Sequence, residues 1–398
     1  MRSEPRLTRR SIIHGATGLA LASMVARPAA GFARQATPVA TPLAGLPLWQ
    51  PAWQNGIVYG TSTTTWQLDD EEYAALVAEQ AAIVFTEDDL LWWRLKPTPV
   101  SPLDFQYADR FFDFAEANGQ LVLGAHLVWD EGFGEEWSED DLWGLDSDAA
   151  TTLLYGTVEE VVARYRGRAA GWIVVNEVID AHEEDGIRRD YPWYETIGPS
   201  FIAESFRIAH KADPDAVLVL NEFGFETDSE WDAAADRRKN ALQVLDMLLD
   251  EGAPVHAFGV QAHLSAAKFA EKFDASAYSQ FLADLASRGV SIIISEMDVL
   301  DDDLPADIAE RDQAIADATQ LYLDTALQEP AVASVITFGL SDRYTWLQED
   351  YPREDGEARR PLPFDDENLA PKPMYDALYG ALEAAPRREP LWIPPRAE

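Results

Sequence analysis

A short apolar segment recurs eight times along this chain, and a longer amphipathic stretch follows each copy. Most copies are continuous apolar runs rich in β-branched residues, as is typical of parallel strands buried on both faces. The eight predicted strands cover residues 57–60, 82–86, 121–128, 171–176, 216–221, 257–261, 291–295 and 334–338. This alternation predicts an α/β fold, a single-domain (β/α)8 TIM barrel. No glycine-rich phosphate-binding sequence follows the first strand, so an open nucleotide-binding sheet is disfavoured.

The charge of the chain restricts its partners. It has 70 acidic and 31 basic residues, a formal net charge of −39. Such a charge repels nucleic-acid backbones and anionic membranes, so neither is an expected partner. The chain has no cysteine, which excludes disulfides, thiolate nucleophiles and thiolate metal sites. A neutral partner fits this composition better, and we expect a monomer.

The N-terminal residues have the pattern of an export signal. Arg9 and Arg10 precede an apolar run of small residues at 15–26. A membrane anchor is the alternative, but the run is too short for a hydrocarbon core of roughly 30 Å. We therefore predict twin-arginine export and a location outside the cytoplasm. The predicted organisation is an export signal at 1–33, a linker at 34–50, the barrel at 51–385 and a C-terminal tail at 386–398.

Two glutamates follow predicted strands that belong to opposite parts of the barrel. Glu177 follows the fourth strand and Glu296 follows the seventh, and in TIM barrels the strand ends carry the chemistry. Hydrolysis of a glycosidic bond needs one protonated and one ionised carboxyl group, about 5 to 5.5 Å apart in retaining enzymes. The pair predicts this reaction, with Glu177 as acid/base and Glu296 as nucleophile. A single acid at a strand end is more often a solvated charge, so the neighbours decide.

Three neighbours are candidate supports for this pair. Asn176 directly precedes Glu177 and can reach the hydroxyl group next to the anomeric carbon. His263 and Asp298 are placed to hydrogen-bond in series onto Glu296, which keeps that carboxylate oriented and ionised. The alternative for His263 is a buried structural histidine.

Several segments together resemble one family. Residues 172–178 (WIVVNEV) are similar to the acid/base signature of glycoside hydrolase family 10, and residues 293–298 (IISEMD) are similar to its nucleophile signature. Further matches are residues 259–264, residues 339–342 with Trp346, and residues 370–375, and all occur in the family's order over roughly 56–380.

The resemblance implies a TIM barrel, retention of anomeric configuration, no metal or organic cofactor, and usually endo-1,4-β-xylanase activity. It implies a polysaccharide or oligosaccharide as the partner. Position by position, it implies that Glu177 is the acid/base, that Glu296 is the nucleophile, and that Asn176 and His263 line the sugar subsites. The other candidate substrate-binding residues are Glu87, Asp88, Trp129, Asp130, Gln261 and Trp346.

The chain departs from the family pattern at a few positions. Leu91 stands where the family has a lysine, and Ala125 and Asp130 stand where it has histidines; Phe223 and Phe338 replace a common tyrosine and tryptophan. The loss of these donors predicts weak activity on linear xylan.

His126 is one position away from the family's histidine, and a shift of one residue along a strand turns a side chain to the opposite face. We therefore expect it to point away from the site. The alternative is that Arg94, Lys96 or His126 itself supplies the missing donor.

These observations favour a secreted retaining β-glycoside hydrolase, with xylan as the expected substrate. One alternative is the same chemistry on another β-linked glycan. The other is a secreted carbohydrate-binding protein that has lost turnover through its altered pocket.

Overall fold

The structure is a computed structural model that describes residues 46–229 and 233–397. The predicted export signal lies outside the described residues, as does most of the predicted linker. The packed unit begins at Pro47, inside that predicted linker, because Leu48 is fully buried and Trp49 begins the first helix.

The described residues form nine parallel strands, and eight of them close into a barrel. In ring order β1 to β6 are followed by β8 and β9, and the ring closes through the β6–β8 and β9–β1 pairings. The short β7 pairs with the outer end of β8. The strands are β1 Val58–Thr63, β2 Ile83–Thr86, β3 Leu121–Gly124, β4 Gly171–Asn176, β5 Val217–Glu222, β6 Ala257–Val260, β7 His263–Ser265, β8 Ser291–Leu300 and β9 Val332–Thr337. The predicted TIM barrel is confirmed.

The helices surround this barrel. They are α1 Trp49–Gln54, α2 Glu71–Gln80, α3 Trp92–Leu95, α4 Gln106–Ala117, α5 Glu139–Leu142, α6 Ser147–Arg164, α7 Pro192–Ile197, α8 Phe201–Ala212, α9 Ala234–Asp250, α10 Phe269–Lys272, α11 Ala275–Ser287, α12 Ile308–Ala326, α13 Leu347–Asp350 and α14 Pro373–Ala384. Asp70, Asp146, Asp274 and Asp307 accept hydrogen bonds from the first-turn N–H groups of α2, α6, α11 and α12. Aspartate is favoured there because it satisfies unpaired donors and complements the helix dipole. Within the described ranges, no helix is both long and apolar enough to cross a membrane.

The inside of the barrel is filled by inward-facing side chains such as Phe85, Leu123, Ile173 and Ile293. Trp392 closes the end of the barrel where the strands begin, since it packs on this cluster and its indole N–H donates to the carbonyl of Ala170, just before β4 (3.0 Å). The predicted C-terminal tail therefore packs on the barrel.

The ends of β3 and β8 differ from the prediction by four or more residues, and both differences affect the site. β3 ends at Gly124 instead of residue 128, and the chain pairs with β4 again at Val128, so the strand is interrupted between these two residues. β8 continues to Leu300, because β7 pairs with its outer half through His263 and Asp298. Glu296 consequently lies within β8 and not after it.

Candidate active site

The two predicted carboxylates lie at the same end of the barrel, and both are nearly fully buried. Glu177 follows β4 with a φ of 59°, a left-handed conformation that costs about 1–3 kcal/mol in a non-glycine residue and is concentrated at functional sites. Its backbone is held on both sides. The Glu177 N–H donates to the Asn221 carbonyl (3.1 Å), and Arg188 Nη1 donates to the Glu177 carbonyl (3.3 Å).

A chain of side-chain amides connects the two carboxylates. Gln261 Nε2 donates to Glu177 Oε1 (2.9 Å) and to Asn176 Oδ1 (3.3 Å). Asn221 Nδ2 donates to the same Asn176 oxygen (2.8 Å) and to Glu296 Oε1 (2.7 Å). Since both bonds to Asn176 end on its oxygen, the orientation of that amide is fixed. The structure thus brings together Asn176, Gln261 and both glutamates.

Asn221 was not predicted as a site residue, although it contacts Glu296 directly. Ser295 Oγ donates to its Oδ1 (2.6 Å) and so fixes which end of the amide faces Glu296. A Cβ at Gly259 would lie 2.1 Å from that same oxygen, so the neighbouring strand needs glycine there. The available signal was the position of Asn221 at the end of the fifth strand, beside the equally polar Glu222.

Two imidazoles flank Glu296, one beside each carboxylate oxygen. His263 Nε2 lies 3.5 Å from Oε2, and His126 Nε2 lies 3.6 Å from Oε1. The other nitrogen of His263 contacts Asp298 Oδ1 (2.9 Å), and Trp346 Nε1 donates to Asp298 Oδ2 (2.8 Å). The predicted series from Asp298 through His263 to Glu296 is therefore present in the geometry.

These contacts determine the charges of Glu296 and His263. Burial by itself raises the pKa of Glu296, but His126 and His263 together hold that pKa well below its usual range. Burial lowers the pKa of His263, but the carboxylates of Asp298 and Glu296 outweigh it and raise the pKa to about 9. At neutral pH Glu296 is ionised beside an imidazolium.

The expectation that His126 points away from the site was wrong. Ala125 still faces the barrel interior, as Leu123 does, but β3 has ended at Gly124 and His126 lies beside Glu296. His126 is 5% exposed, and within the described part of the chain neither ring nitrogen has a hydrogen-bond partner. Its ring packs against Phe85 and Trp129, with centroids 5.7 and 5.1 Å away.

The other proposed donors are engaged elsewhere. Arg94 pairs with Asp89 (3.2 Å) and lies 3.7 Å from Asp88. Lys96 Nζ donates to the carbonyl of Ser101. Of the three candidates, His126 is the one that contacts Glu296.

Trp129 and Asp130 both lie beside Glu177, but in different ways. Trp129 Nε1 donates to Glu177 Oε2 (3.2 Å). Asp130, a predicted substrate-binding residue, forms a buried two-pronged ion pair with Arg188, whose Nη1 also donates to the Glu177 carbonyl. Asp130 thus supports the backbone of Glu177 through Arg188.

Glu87 and Asp88 follow β2 at the same rim. Glu87 Oε2 accepts from Ser62 Oγ (3.0 Å). Burial, with the Asp88 carboxylate, raises the pKa of Glu87 to about 8, so at neutral pH this group can both donate and accept. Asp88 Oδ2 accepts from Trp66 Nε1 (3.3 Å). Leu91 is almost fully buried.

The motifs at residues 339–342 and 370–375 contact each other and stabilise the loop that carries Trp346. Lys372 Nζ donates to Asp342 Oδ2 (2.7 Å) and to the Arg360 carbonyl (2.6 Å), and the Leu362 N–H donates to Asp342 Oδ1 (3.0 Å).

Within the described ranges, no group of three or more His, Asp or Glu side chains is arranged to hold a metal ion.

Comparison with known sequences identifies the family. The profile of glycosyl hydrolase family 10 matches residues 48–381, which is nearly the whole described chain. The chain belongs to glycosyl hydrolase family 10. Endo-1,4-beta-xylanase 5 of Pyricularia oryzae is 28% identical to this family 10 member over 346 residues, 86% of this chain and 80% of the relative. Endo-1,4-beta-xylanase B of Thermotoga neapolitana is 28% identical over 332 residues, 82% of this chain and 88% of the relative.

Solved structures agree with this membership. Xylanase 10B from Thermotoga petrophila RKU-1, in complex with xylobiose, superposes with a TM-score of 0.73 at 27% identity over 85% of this chain and 98% of that chain. Native xylanase 10B from Thermotoga maritima gives a TM-score of 0.71 at 27% identity with the same coverage. This family 10 protein is a xylanase-like glycoside hydrolase.

Proposed function

We propose that the protein is an exported endo-1,4-β-xylanase that cleaves xylan or xylo-oligosaccharides with retention of anomeric configuration. The observation that carries this proposal is the environment of Glu296, a buried carboxylate with an imidazole beside each oxygen and an amide bond from Asn221. A carbohydrate-binding protein has no need of an ionised, oriented carboxylate at the base of its cleft.

In the first step, a Glu296 oxygen attacks the anomeric carbon of the sugar bound in front of it. The bond between that carbon and the leaving oxygen breaks, and a glycosyl ester with Glu296 forms. The depressed pKa of Glu296 supplies the anion that this attack needs. Asn176 accepts both of its amide bonds on Oδ1, so its Nδ2 is the donor left for the hydroxyl group next to the reacting carbon.

Glu177 performs the proton transfers. Protonated Glu177 gives its proton to the leaving oxygen in the first step, and the resulting carboxylate then removes a proton from the water that hydrolyses the ester. Trp129 and Gln261 each donate to one of its oxygens, so they hold the carboxyl group in position in both protonation states. The hydrogen bond from Arg188 to the Glu177 carbonyl fixes the backbone of Glu177 at its positive φ and adds to this positioning.

The substrate assignment is supported by the relatives, since one solved relative is a complex with xylobiose. The strongly acidic composition fits a neutral glycan better than a polyanion. Export is supported by the arginine pair and apolar run at the N-terminus. His126 also changes the expectation of weak xylan activity, because it brings one imidazole back to the site.

A trapping experiment tests the mechanism. A 2-deoxy-2-fluoro-β-xylobioside with a dinitrophenolate leaving group is expected to inactivate the enzyme and to label Glu296, as identified by peptide mass spectrometry. Proton NMR of xylohexaose hydrolysis is expected to show the β-anomer as the first product. Saturable binding without labelling or turnover would favour the carbohydrate-binding alternative, and an α-anomer as first product would exclude retention. Turnover of glucans or mannans in preference to xylans would change the substrate and leave the chemistry in place.

A further inference from the structure

Trp66 is a large aromatic side chain at the active-site rim that the proposed chemistry does not use. It follows β1 by three residues, at the strand end that faces the cleft, and it is 49% exposed. A single exposed aromatic residue needs no explanation by itself, so the contacts that hold this ring at the rim decide what it can do.

The backbone that carries Trp66 is fixed by a buried carboxylate. Asp89, which is fully buried, accepts from Thr64 Oγ1 (3.1 Å), from the Thr65 N–H (2.8 Å) and from Thr65 Oγ1 (2.9 Å). A 3₁₀ turn, Gln67–Asp69, follows immediately. The chain on both sides of the tryptophan is held in one conformation.

The indole ring is also held in one orientation. Its Nε1 donates to Asp88 Oδ2 (3.3 Å), and the ring packs perpendicular to Tyr344, with centroids 5.4 Å apart. The Tyr344 hydroxyl in turn donates to Asp70 Oδ2 (2.9 Å). A ring that is already ordered loses little conformational entropy when a ligand stacks on it.

The ring is continuous with the candidate site. Its partner Asp88 directly follows Glu87, and Glu87 is bonded to Ser62 on the strand that leads to Trp66. Glu87, Asp88 and the indole therefore lie side by side at the rim. A pyranose ring suits this surface, because its apolar face can stack on the indole while its hydroxyl groups bond to the carboxylate at the edge.

We propose that Trp66, with Asp88 at its edge, forms a separate stacking subsite for a sugar unit of the bound glycan, away from the ring that is cleaved. The proposal rests on the proposed function, in that the ligand is the β-linked chain held by the same cleft. The subsite makes the enzyme favour longer chains, since only these reach from the carboxylates to the indole.

Trp93 is a matched control. It is also partly exposed (39%), but the guanidinium of Arg94 lies over its ring, 4.6 Å from the centroid. Its stacking surface is thus already occupied, so we expect Trp93→Ala to have no effect that depends on chain length.

The test compares Trp66→Ala, Trp66→Phe and Trp93→Ala on xylo-oligosaccharides of increasing length and on an aryl β-xylobioside. Trp66→Ala is expected to lower kcat/KM for xylohexaose by roughly three- to tenfold, as expected for a lost aromatic contact, and to change it less than twofold for the aryl xylobioside. Trp66→Phe is expected to retain part of the effect. An equal loss on short and long substrates would overturn the subsite and indicate a structural role, and no loss on any length would also overturn it.

Isothermal titration separates this proposal from the proposed function. In a Glu296→Ala background, the added Trp66→Ala substitution is expected to weaken binding of xylohexaose and to leave that of xylobiose unchanged. If the wild type cleaves another β-glycan instead of xylan, the same titration with that oligosaccharide series applies. If Glu296→Ala with and without Trp66→Ala bound xylo-oligosaccharides of every length with equal affinity, the subsite would be refuted even if the enzyme is an active xylanase.

Discussion

Removing the imidazole of His126 tests whether this residue takes over the role of the family's histidine at position 125 by contacting Glu296. His126→Ala deletes the group 3.6 Å from Glu296 Oε1 while Asn221 still donates to the same oxygen at 2.7 Å. The 3.6 Å contact is too long to be a hydrogen bond, so its loss is expected to cost less than the about 1.5–3 kcal/mol of a hydrogen bond to a charged group. We therefore expect kcat/KM to fall by roughly three- to tenfold.

The pH profile of the same variant gives a more specific readout. His126 is one of the two imidazoles that hold the pKa of Glu296 down, so its removal raises that pKa and more Glu296 is protonated at acidic pH. The acidic limb of kcat/KM, measured with an aryl β-xylobioside, is therefore expected to move to higher pH. His126→Gln, which keeps an N–H donor but lacks the imidazole, is expected to restore kcat/KM more than it restores the position of the acidic limb.

The control removes an imidazole far from the cleft. His210 lies in the last turn of α8 and packs edge-on near His256, with ring centroids 5.8 Å apart. His210→Ala is therefore expected to leave both kcat/KM and the acidic limb unchanged. A His126→Ala enzyme with wild-type kcat/KM and an unmoved acidic limb would refute the reasoning. A fall in rate with no movement of the limb would show a packing role alone.

Three further outcomes are expected. Glu296→Ala loses turnover of every substrate, whereas Glu177→Ala loses xylan but keeps aryl glycosides with acidic leaving groups, which need no proton; steady-state rates on both substrate types check this. Gly259→Ala places a Cβ 2.1 Å from Asn221 Oδ1 and so displaces the amide that positions Glu296. We expect kcat to fall by about tenfold with a smaller change in KM. Full activity would show that the position of Asn221 does not depend on Gly259. Trp392→Ala leaves a cavity at the closed end of the barrel and is expected to cost about 3–5 kcal/mol of the free energy of unfolding, measured with denaturant, while kcat stays within twofold.

The sequence was sufficient to predict the barrel because its strands are buried on both faces and therefore appear as continuous apolar runs. All eight predicted strands are present. The ends of two strands were not predictable, because they depend on pairing and not on composition. β8 is prolonged by β7, and β3 stops at Gly124 although apolar residues continue to Val128. The error in β3 led us to expect His126 to point away from the site, and the error in β8 placed Glu296 after the strand instead of within it.

Part of the candidate site could also be predicted, since motif order alone placed Asn176, Gln261 and His263 near the two glutamates. Asn221 was missed because its contacts come from β4 and β8, far away in sequence. The partner of Asp130 could not be predicted either, because Arg188 comes from the loop after β4.

The two glutamates lie in different electrostatic environments. Glu296 faces two imidazoles, of which His263 is held charged by Asp298. Glu177 receives its hydrogen bonds from the neutral indole and amide of Trp129 and Gln261. The buried carboxylates of Asp130 and Glu222 also lie close enough to Glu177 for mutual repulsion.

The imidazoles favour the ionised form of Glu296, which the proposed attack on the anomeric carbon requires. The family's histidine at position 125 is lost, but His126 places an imidazole 3.6 Å from Glu296 Oε1. The substitution at position 130 gives a carboxylate that binds Arg188, and Arg188 in turn donates to the Glu177 carbonyl. One change therefore supports the charge of the proposed nucleophile and the other supports the backbone of the proposed acid/base, which is why we expect an active enzyme in spite of the altered pocket.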